Sequence, residues 1–274
     1  MKIQYFLAIR WWFWRLCQRK QVLFLLLVCP FAAQAVTPLV MAFSELEPWK
    51  TSDAGRYGGA YTEIVRELGK RSGLPVEILP CPLKRCLLLM QEGKADVIIG
   101  VQASSQRKEF IHFLPTPYRK RSSDKVFYVS KGKAASIRQY QDLAQLRIGV
   151  KQGAEYFARF DHDASLKKNA ILNNKGNFKK LLLGRLDAII IAEDQGEALV
   201  SALGIRDQVE KAHYREPDPT PRTIGIAKKS VHAANLNQLD SAMKAMVKDG
   251  TLRMLFQRYY YEACKVPADA VVIE

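Results

Sequence analysis

The sequence is sparing in residues that mark several common functions. Its 274 residues hold five cysteines and four histidines. No two cysteines form a Cys-x-x-Cys pair, and no histidine lies near a cysteine at metal-ligand spacing, which argues against a zinc site. Acidic residues are scarce: 27 Asp and Glu stand against 42 Lys and Arg, a formal charge of +15. Beyond residue 35 no apolar run reaches the length of about 18 residues that a membrane helix needs. Glycine, at 16, and proline, at 12, follow no period, which excludes collagen-like and low-complexity chains. What is abundant is hydrophobic residues, 48% of the total, enough to bury a proper core and to exclude a disordered chain.

The basic balance first suggests nucleic-acid binding, but the charge is unevenly spread. Residues 1–35 carry Lys2, Arg10, Arg15, Arg19 and Lys20 and no acid. An apolar run of 12 residues, Val22 to Ala33, ends in Ala33-Gln34-Ala35. This is the pattern of a secretory signal peptide cut after Ala35. An uncleaved anchor is the alternative, because Trp11-Trp12-Phe13-Trp14 makes the basic region long. A lipoprotein is disfavoured, since Cys29 follows Val28 and precedes Pro30. Removing the five basic residues leaves 37 against 27, or +10. An exported chain without a basic recognition motif or aromatic-basic interleaving is not expected to bind nucleic acid. Lys167-Lys168, Lys179-Lys180 and Lys228-Lys229 read as solvated faces.

The remaining chain alternates strand and helix patterns. Pro38–Phe43 is strand-like; Tyr61, Ile64, Val65 and Leu68 recur at helical spacing until Ser72-Gly73. Val76–Leu79, a helix from Leu83 to Gln91, and Val97–Ile99 complete a β-α-β-α-β set. After the connecting segment Arg107 to Phe113, Lys125–Val129 is a strand and a second set begins. Its expected members are helical Ile137–Leu143, strand Leu146–Val150, a helix entered at Gly153, strand Ala170–Leu172, helical Phe178–Leu183, strand Asp187–Ala192, helical Glu193–Ala202 and strand Val209–Tyr214. Thr223–Ala227 is placed to return to the first set, and Leu236–Val247 and Leu252–Tyr259 form a helical pair broken at Gly250. Two α/β lobes with crossings near Val126–Ser130 and Pro221–Ile226 predict a hinged clamp. Its ligand would sit beyond the carboxyl ends of the strands.

Several spaced motifs now carry a family resemblance. Asp96 to Gly100, then Ser104, Arg107 three residues later, Phe113 six after that and Pro117-Tyr118 resemble the signature of family-3 extracellular solute-binding proteins. Pro48-Trp49, Ile148 to Gly153 and Leu182 to Ala188 resemble further motifs of that family. The likeness spans residues 36–262. It implies a type II periplasmic-binding-protein fold, α/β and two-lobed with two hinge crossings. Residues 1–35 would be the signal peptide, 36–126 with 223–274 the first lobe, and 127–222 the second. The implied function is periplasmic capture of a small polar ligand, an amino acid or related carboxylate, by hinge closure for an ABC importer. A sensing subunit for a membrane receptor and a dehydratase-like enzyme, with Glu155, Glu193 and Asp194 as its candidate carboxylates, are the rival readings. No cofactor and no metal are implied, and the binder is expected to be a monomer whose partners are its ligand and an ABC permease or membrane sensor.

The resemblance also proposes site residues. Arg107 offers a planar fork for a carboxylate. Gln102 and Ser104 follow the strand and would complete the contacts, Trp49 would stack on the ligand, and Arg85 would line the first lobe, with Tyr57 and Tyr61 as weaker candidates. Two departures bear on the ligand. The second-lobe turn is Gly153-Ala154-Glu155 and lacks the usual hydroxyls, so backbone N–H groups of a following helix would take the anion, while Glu155 argues against a strongly anionic ligand. The position of the amine-binding acid is Ala192, leaving Glu193 or Asp194 as substitutes. Cys81 and Cys86 are five apart across Pro82; in an oxidising compartment they form a local disulfide or remain two thiols.

Overall fold

The computed structural model describes residues 36–266 and Ile273. The expected signal peptide, with Cys17 and Cys29, lies outside the described residues. The unit from Thr37 onward contains two five-stranded sheets, each with helices on its faces.

The first sheet is built from β1 (Leu39–Phe43), β4 (Val76–Pro80), β5 (Val97–Ile98), β6 (Ile111–Phe113) and β12 (Gly225–Ala227), in the order β4-β1-β5-β12-β6. β1 runs parallel to β4 and β5, whereas β12 is antiparallel to β5 and β6. Both faces are covered, so the strands are apolar on both sides. Leu39, Met41 and Phe43 point into one core; Ala42, between them, points into the other. Helix α1 (Ala60–Arg71) lays Tyr61, Ile64, Val65 and Leu68 on the first core. This is the i, i+3, i+4, i+7 stripe, and Gly73, at φ 67°, lies just beyond its end. Helix α2 (Leu83–Glu92) covers the opposite face with Cys86, Leu89 and Met90 and stops at Gly93, whose φ of 74° is left-handed. A small hairpin, β2 (Thr51–Asp53) and β3 (Arg56–Gly58), precedes α1. Short α3 (Ser105–Lys108) and β6 occupy the segment read as a connection.

The second sheet is β11-β7-β10-β8-β9, from β7 (Lys125–Ser130), β8 (Arg147–Lys151), β9 (Lys167–Ile171), β10 (Ala188–Ala192) and β11 (Val209–Glu216). Alternation along central β10 is complete: Ile189 and Ile191 enter one core, Ala188 and Ile190 the other. Each fully buried Ile or Leu contributes roughly 1.5–3 kcal/mol by leaving water. Helices α4 (Ala158–His162), α5 (Asn174–Leu182) and α6 (Glu193–Leu203) complete this lobe. Two expectations fail here. Ile137–Leu143 is not a helix: Ile137 is extended and fully buried, its carbonyl accepts from Tyr214 N–H, and only single 3-10 turns flank it. The helix expected at Gly153 begins only at Ala158. Tyr156 is pinned in the core, its hydroxyl accepts from Lys151 N–H, and its own N–H donates to Asp161, which holds residues 152–157 as a loop.

The chain passes between the sheets twice, over residues 114–124 and 217–224. The first crossing therefore precedes Val126–Ser130, which is already β7. The two crossings pair with each other at Arg119 and Arg222. Helices α7 (Leu236–Lys248) and α8 (Thr251–Phe256), separated by left-handed Gly250, return to the first lobe.

Candidate functional site

A cavity of about 110 Å³ opens between the two sheets. Its first-lobe wall includes Leu46, Trp49, Tyr61, Leu83, Gln102 and Arg107; its second-lobe wall includes Lys151, Ala154, Glu155, Asn174 and Ala192. Between them stand residues of the crossings, Tyr118, Arg119, Ser122 and Arg222.

Arg107 is placed by α3, whose N-cap Ser104 accepts from the Arg107 N–H at 3.4 Å. The preceding turn uses Gly100 at φ 83°, where a Cβ would come within 2.8 Å of the Leu46 side chain. Arg107 is buried. Its Nη1 donates to the Gln102 carbonyl at 3.2 Å, its Nη2 donates to the Gly153 carbonyl of the other lobe at 3.2 Å, and Glu155 Oε2 lies 3.2 Å from Nη1. Ser104 Oγ donates to Glu155 Oε1 at 3.2 Å. Burial works against the Arg107 charge and Glu155 in its favour, leaving its pKa lowered. Among the described residues its Nε has no hydrogen-bond partner, and neither has Asn174 Oδ1 across the cleft.

The lobes meet at further points. Lys151 Nζ donates to the Glu45 carbonyl, Gln195 Nε2 donates to the Glu47 carbonyl at 2.9 Å, and Lys175 pairs with Glu47 at 2.6 Å. These contacts describe a closed clamp. At the rim, Cys81 and Cys86 form a disulfide that brackets Leu83 and Lys84, and the Lys84 backbone lies 3.4 Å from where a Gly153 Cβ would stand.

The crossings carry an electrostatic network that sequence patterns missed. Arg119 Nη1 donates to Asp194 Oδ2 at 2.6 Å and to Tyr61 Oη at 3.2 Å, and its Nη2 donates to Ser123 Oγ. Burial opposes its charge, but Tyr61 and Asp194 outweigh it and its pKa is raised. Asp218 takes both Lys125 at 2.5 Å and Arg222 at 2.6 Å. Burial would raise the Asp218 pKa, yet those two cations hold it at about 2. The one available signal was position: Arg119 follows the Pro117-Tyr118 motif, and Lys151 ends a strand at its carboxyl end.

The sequence-derived residues divide accordingly. Arg107, Gln102 and Ala154 line the cleft or touch it, and Ser104 and Gly153 support Arg107 through Glu155 and a carbonyl. Arg85 does not belong: it is exposed on α2, away from the cleft, because Cys86, Leu89 and Met90 define the buried face. Trp49 lines the cleft, but the residue is 2% exposed and its ring stacks on Tyr260 at 4.4 Å and on Tyr61 at 4.9 Å, so it is no open platform. Asp194 reaches the cleft wall already committed to Arg119. Glu193 points to Lys211 and Arg215 instead. Tyr57 packs on Phe43 outside the cleft. The helix following Gly153-Ala154 does not reach this turn, since α4 starts only at Ala158; the helix N-terminus that abuts Gly153 is that of α2, at Lys84. No group of three or more His, Cys, Asp or Glu among the described residues is arranged to hold a metal, and no helix among them is long and apolar enough to cross a membrane.

The comparisons with known proteins agree with this architecture. The family model described as bacterial extracellular solute-binding proteins, family 3, matches residues 39–262. The L-cystine-binding protein TcyJ of Escherichia coli (strain K12) is 25% identical over 214 residues, 76% of each chain. An ancestral arginine-binding protein, solved with arginine bound, superposes with a TM-score of 0.71 at 24% identity, covering 82% of this chain and 98% of its own. An ancestral amino acid-binding protein described as a precursor of cyclohexadienyl dehydratase superposes with a TM-score of 0.66 at 24% identity, over 82% and 95%.

Proposed function

Because the chain belongs to the bacterial extracellular solute-binding proteins, family 3, we propose that it is a periplasmic binder that closes on a small amino acid or related carboxylate for an ABC importer. One observation carries the reading: buried Arg107 stands on one lobe, faces Glu155 and Gly153 of the other, and keeps an unpartnered Nε. A carboxylate that replaces Glu155 there would touch both lobes at once, which is how a ligand stabilises a closed clamp. The relatives named above bind cystine, arginine or an unspecified amino acid, and an α-carboxylate is what those ligands share.

Export would follow cleavage after Ala35, and the Cys81–Cys86 disulfide fits an oxidising compartment. The mature protein would act as a monomer and meet a permease through its closed form. A binder is favoured over a dehydratase because no histidine lines the cleft and both lining carboxylates are engaged in ion pairs.

The test is a thermal-shift panel of the twenty L-amino acids and their keto-acid counterparts on the purified protein. At least one should raise Tm, and Arg107→Ala should abolish that rise. A panel without any shift, or a shift that survives in Arg107→Ala, overturns the reading. Conversion of the bound compound would instead make the protein an enzyme.

A further inference from the structure

The cleft walls are unevenly charged. Arg107, Arg119, Lys125, Lys151 and Arg222 face the cavity, against only Glu155 and Asp194. Glu155 answers Arg107, and Asp194 answers Arg119. Asp218, behind the lining, is one carboxylate shared by Lys125 and Arg222. Lys151 has no carboxylate within 4.0 Å among the described residues, and its Nζ donates only to the Glu45 carbonyl oxygen. Five cations thus face three carboxylates, a net excess of two positive charges, and of the five only Lys151 has no carboxylate in contact.

Lys151 is 6% exposed. Burial pushes its pKa down to about 8, while Glu45 and Glu47, farther off, favour its charged form. It is therefore mostly charged near neutral pH. An ammonium has three donors, and only one of these is used. Lys50, behind it, is pushed to about 7 and is not counted as a full charge.

A basic ligand finds one carboxylate at most, Glu155, and only once the ligand's own carboxylate has displaced it from Arg107. Glu155 is held by Arg107 and Ser104, and Asp194 by Arg119 and the Gln195 N–H. Adding a cation to a poorly solvated site that already holds two spare positive charges is unfavourable, whereas an anion gains there.

We infer that the cleft takes a small ligand with two carboxylates and a net negative charge, one carboxylate held by Arg107 and the other by Lys151. The turn after β8 brings these two groups together: Ala154 N–H bonds the Lys151 carbonyl at 3.0 Å, and the carbonyl two residues beyond Lys151, that of Gly153, accepts from Arg107. The inference rests on the cleft being the solute site. It reverses the expectation drawn from Glu155 alone, since Lys125, Lys151 and the two crossing arginines outweigh that one carboxylate. Acidic amino acids and plain dicarboxylates share the required chemistry.

Calorimetric titration with L-glutamate, 2-oxoglutarate, L-glutamine and L-arginine separates the cases. Glutamate or 2-oxoglutarate should bind about ten- to a hundredfold more tightly than glutamine, the range of a hydrogen bond to a charged group. The better of those two decides whether an ammonium is part of the ligand. Lys151→Met should erase the preference for the acidic ligand over glutamine, and Lys151→Arg should restore it. Tightest binding by glutamine or arginine overturns the inference but leaves the solute-binding reading intact. A lack of binding across these four and the wider panel above overturns both.

Discussion

Glu155 Oε2 of the second lobe lies 3.2 Å from Arg107 Nη1 of the first, and Glu155 Oε1 lies 3.2 Å from Ser104 Oγ. The protein's own carboxylate thus occupies the contact that a ligand carboxylate would make, and it links the two lobes. Replacing it should separate the two effects. In Glu155→Gln the unliganded protein should open, seen as a larger radius of gyration in solution scattering. Ligand affinity should rise by up to about tenfold, because Arg107 is no longer paired. Unchanged affinity would show that the ligand never displaces Glu155.

Arg119 and Asp194 form a buried pair at 2.6 Å. Removing one partner leaves the other charge uncompensated, which costs about 3–5 kcal/mol. Arg119→Ala should lower the free energy of unfolding by that amount in urea titrations. The double variant Arg119→Met with Asp194→Leu should recover much of the loss. If both behave alike, the pair is not what the crossing depends on.

Lys50 is fully buried beneath β5, its Nζ donating to the Ile99 carbonyl at 3.0 Å, and burial first and Lys151 second push its pKa from 10.5 to about 7. Between those values the unfolded chain holds a proton that the folded chain has released. Stability therefore rises with pH through this window and falls as pH drops toward 7, by up to about 1.4 kcal/mol per unit. Lys151 shifts in the same direction but less, to about 8. Denaturation at pH 7 and pH 9 should show wild type gaining stability and Lys50→Met gaining distinctly less. Equal gains would mean that Lys50 is not the titrating group.

The Cys81–Cys86 disulfide closes a short loop, worth about 2 kcal/mol of chain entropy. Cys81→Ser with Cys86→Ser should lower Tm and weaken ligand binding, because Leu83 lines the cleft and Lys84 abuts Gly153. A lower Tm with intact affinity would confine the bridge to stability.

Local patterns carried most of the fold. The stripe Tyr61, Ile64, Val65, Leu68 and the apolar run of β10 read directly as helix and buried strand, and the spacing from Ser104 to Tyr118 located the Arg107 turn. The misses share a cause: they depend on contacts distant in sequence. Ile137 reads as helical until Tyr214 claims its carbonyl. Glu155 reads as a deterrent to anions until closure sets it on Arg107. Arg85 was recoverable, since it precedes Cys86 by one residue and so turns about 100° away from the buried stripe of α2. Arg119 had only its place after Pro117-Tyr118 to mark it, and Arg222 had no local signature, because crossings have no periodicity to betray which side chains turn inward; Lys125 opens β7, where a charged residue reads as a strand end.

The pairing of the crossings has a mechanical consequence. Arg222 N–H bonds the Arg119 carbonyl at 2.9 Å, and Tyr118 N–H bonds the Arg222 carbonyl at 2.9 Å. Two independent connectors would let the lobes slide or twist past each other. Two laced into a ribbon flex together, about one axle. Opening is then a rotation about that shared ribbon, and the two walls part and meet as units.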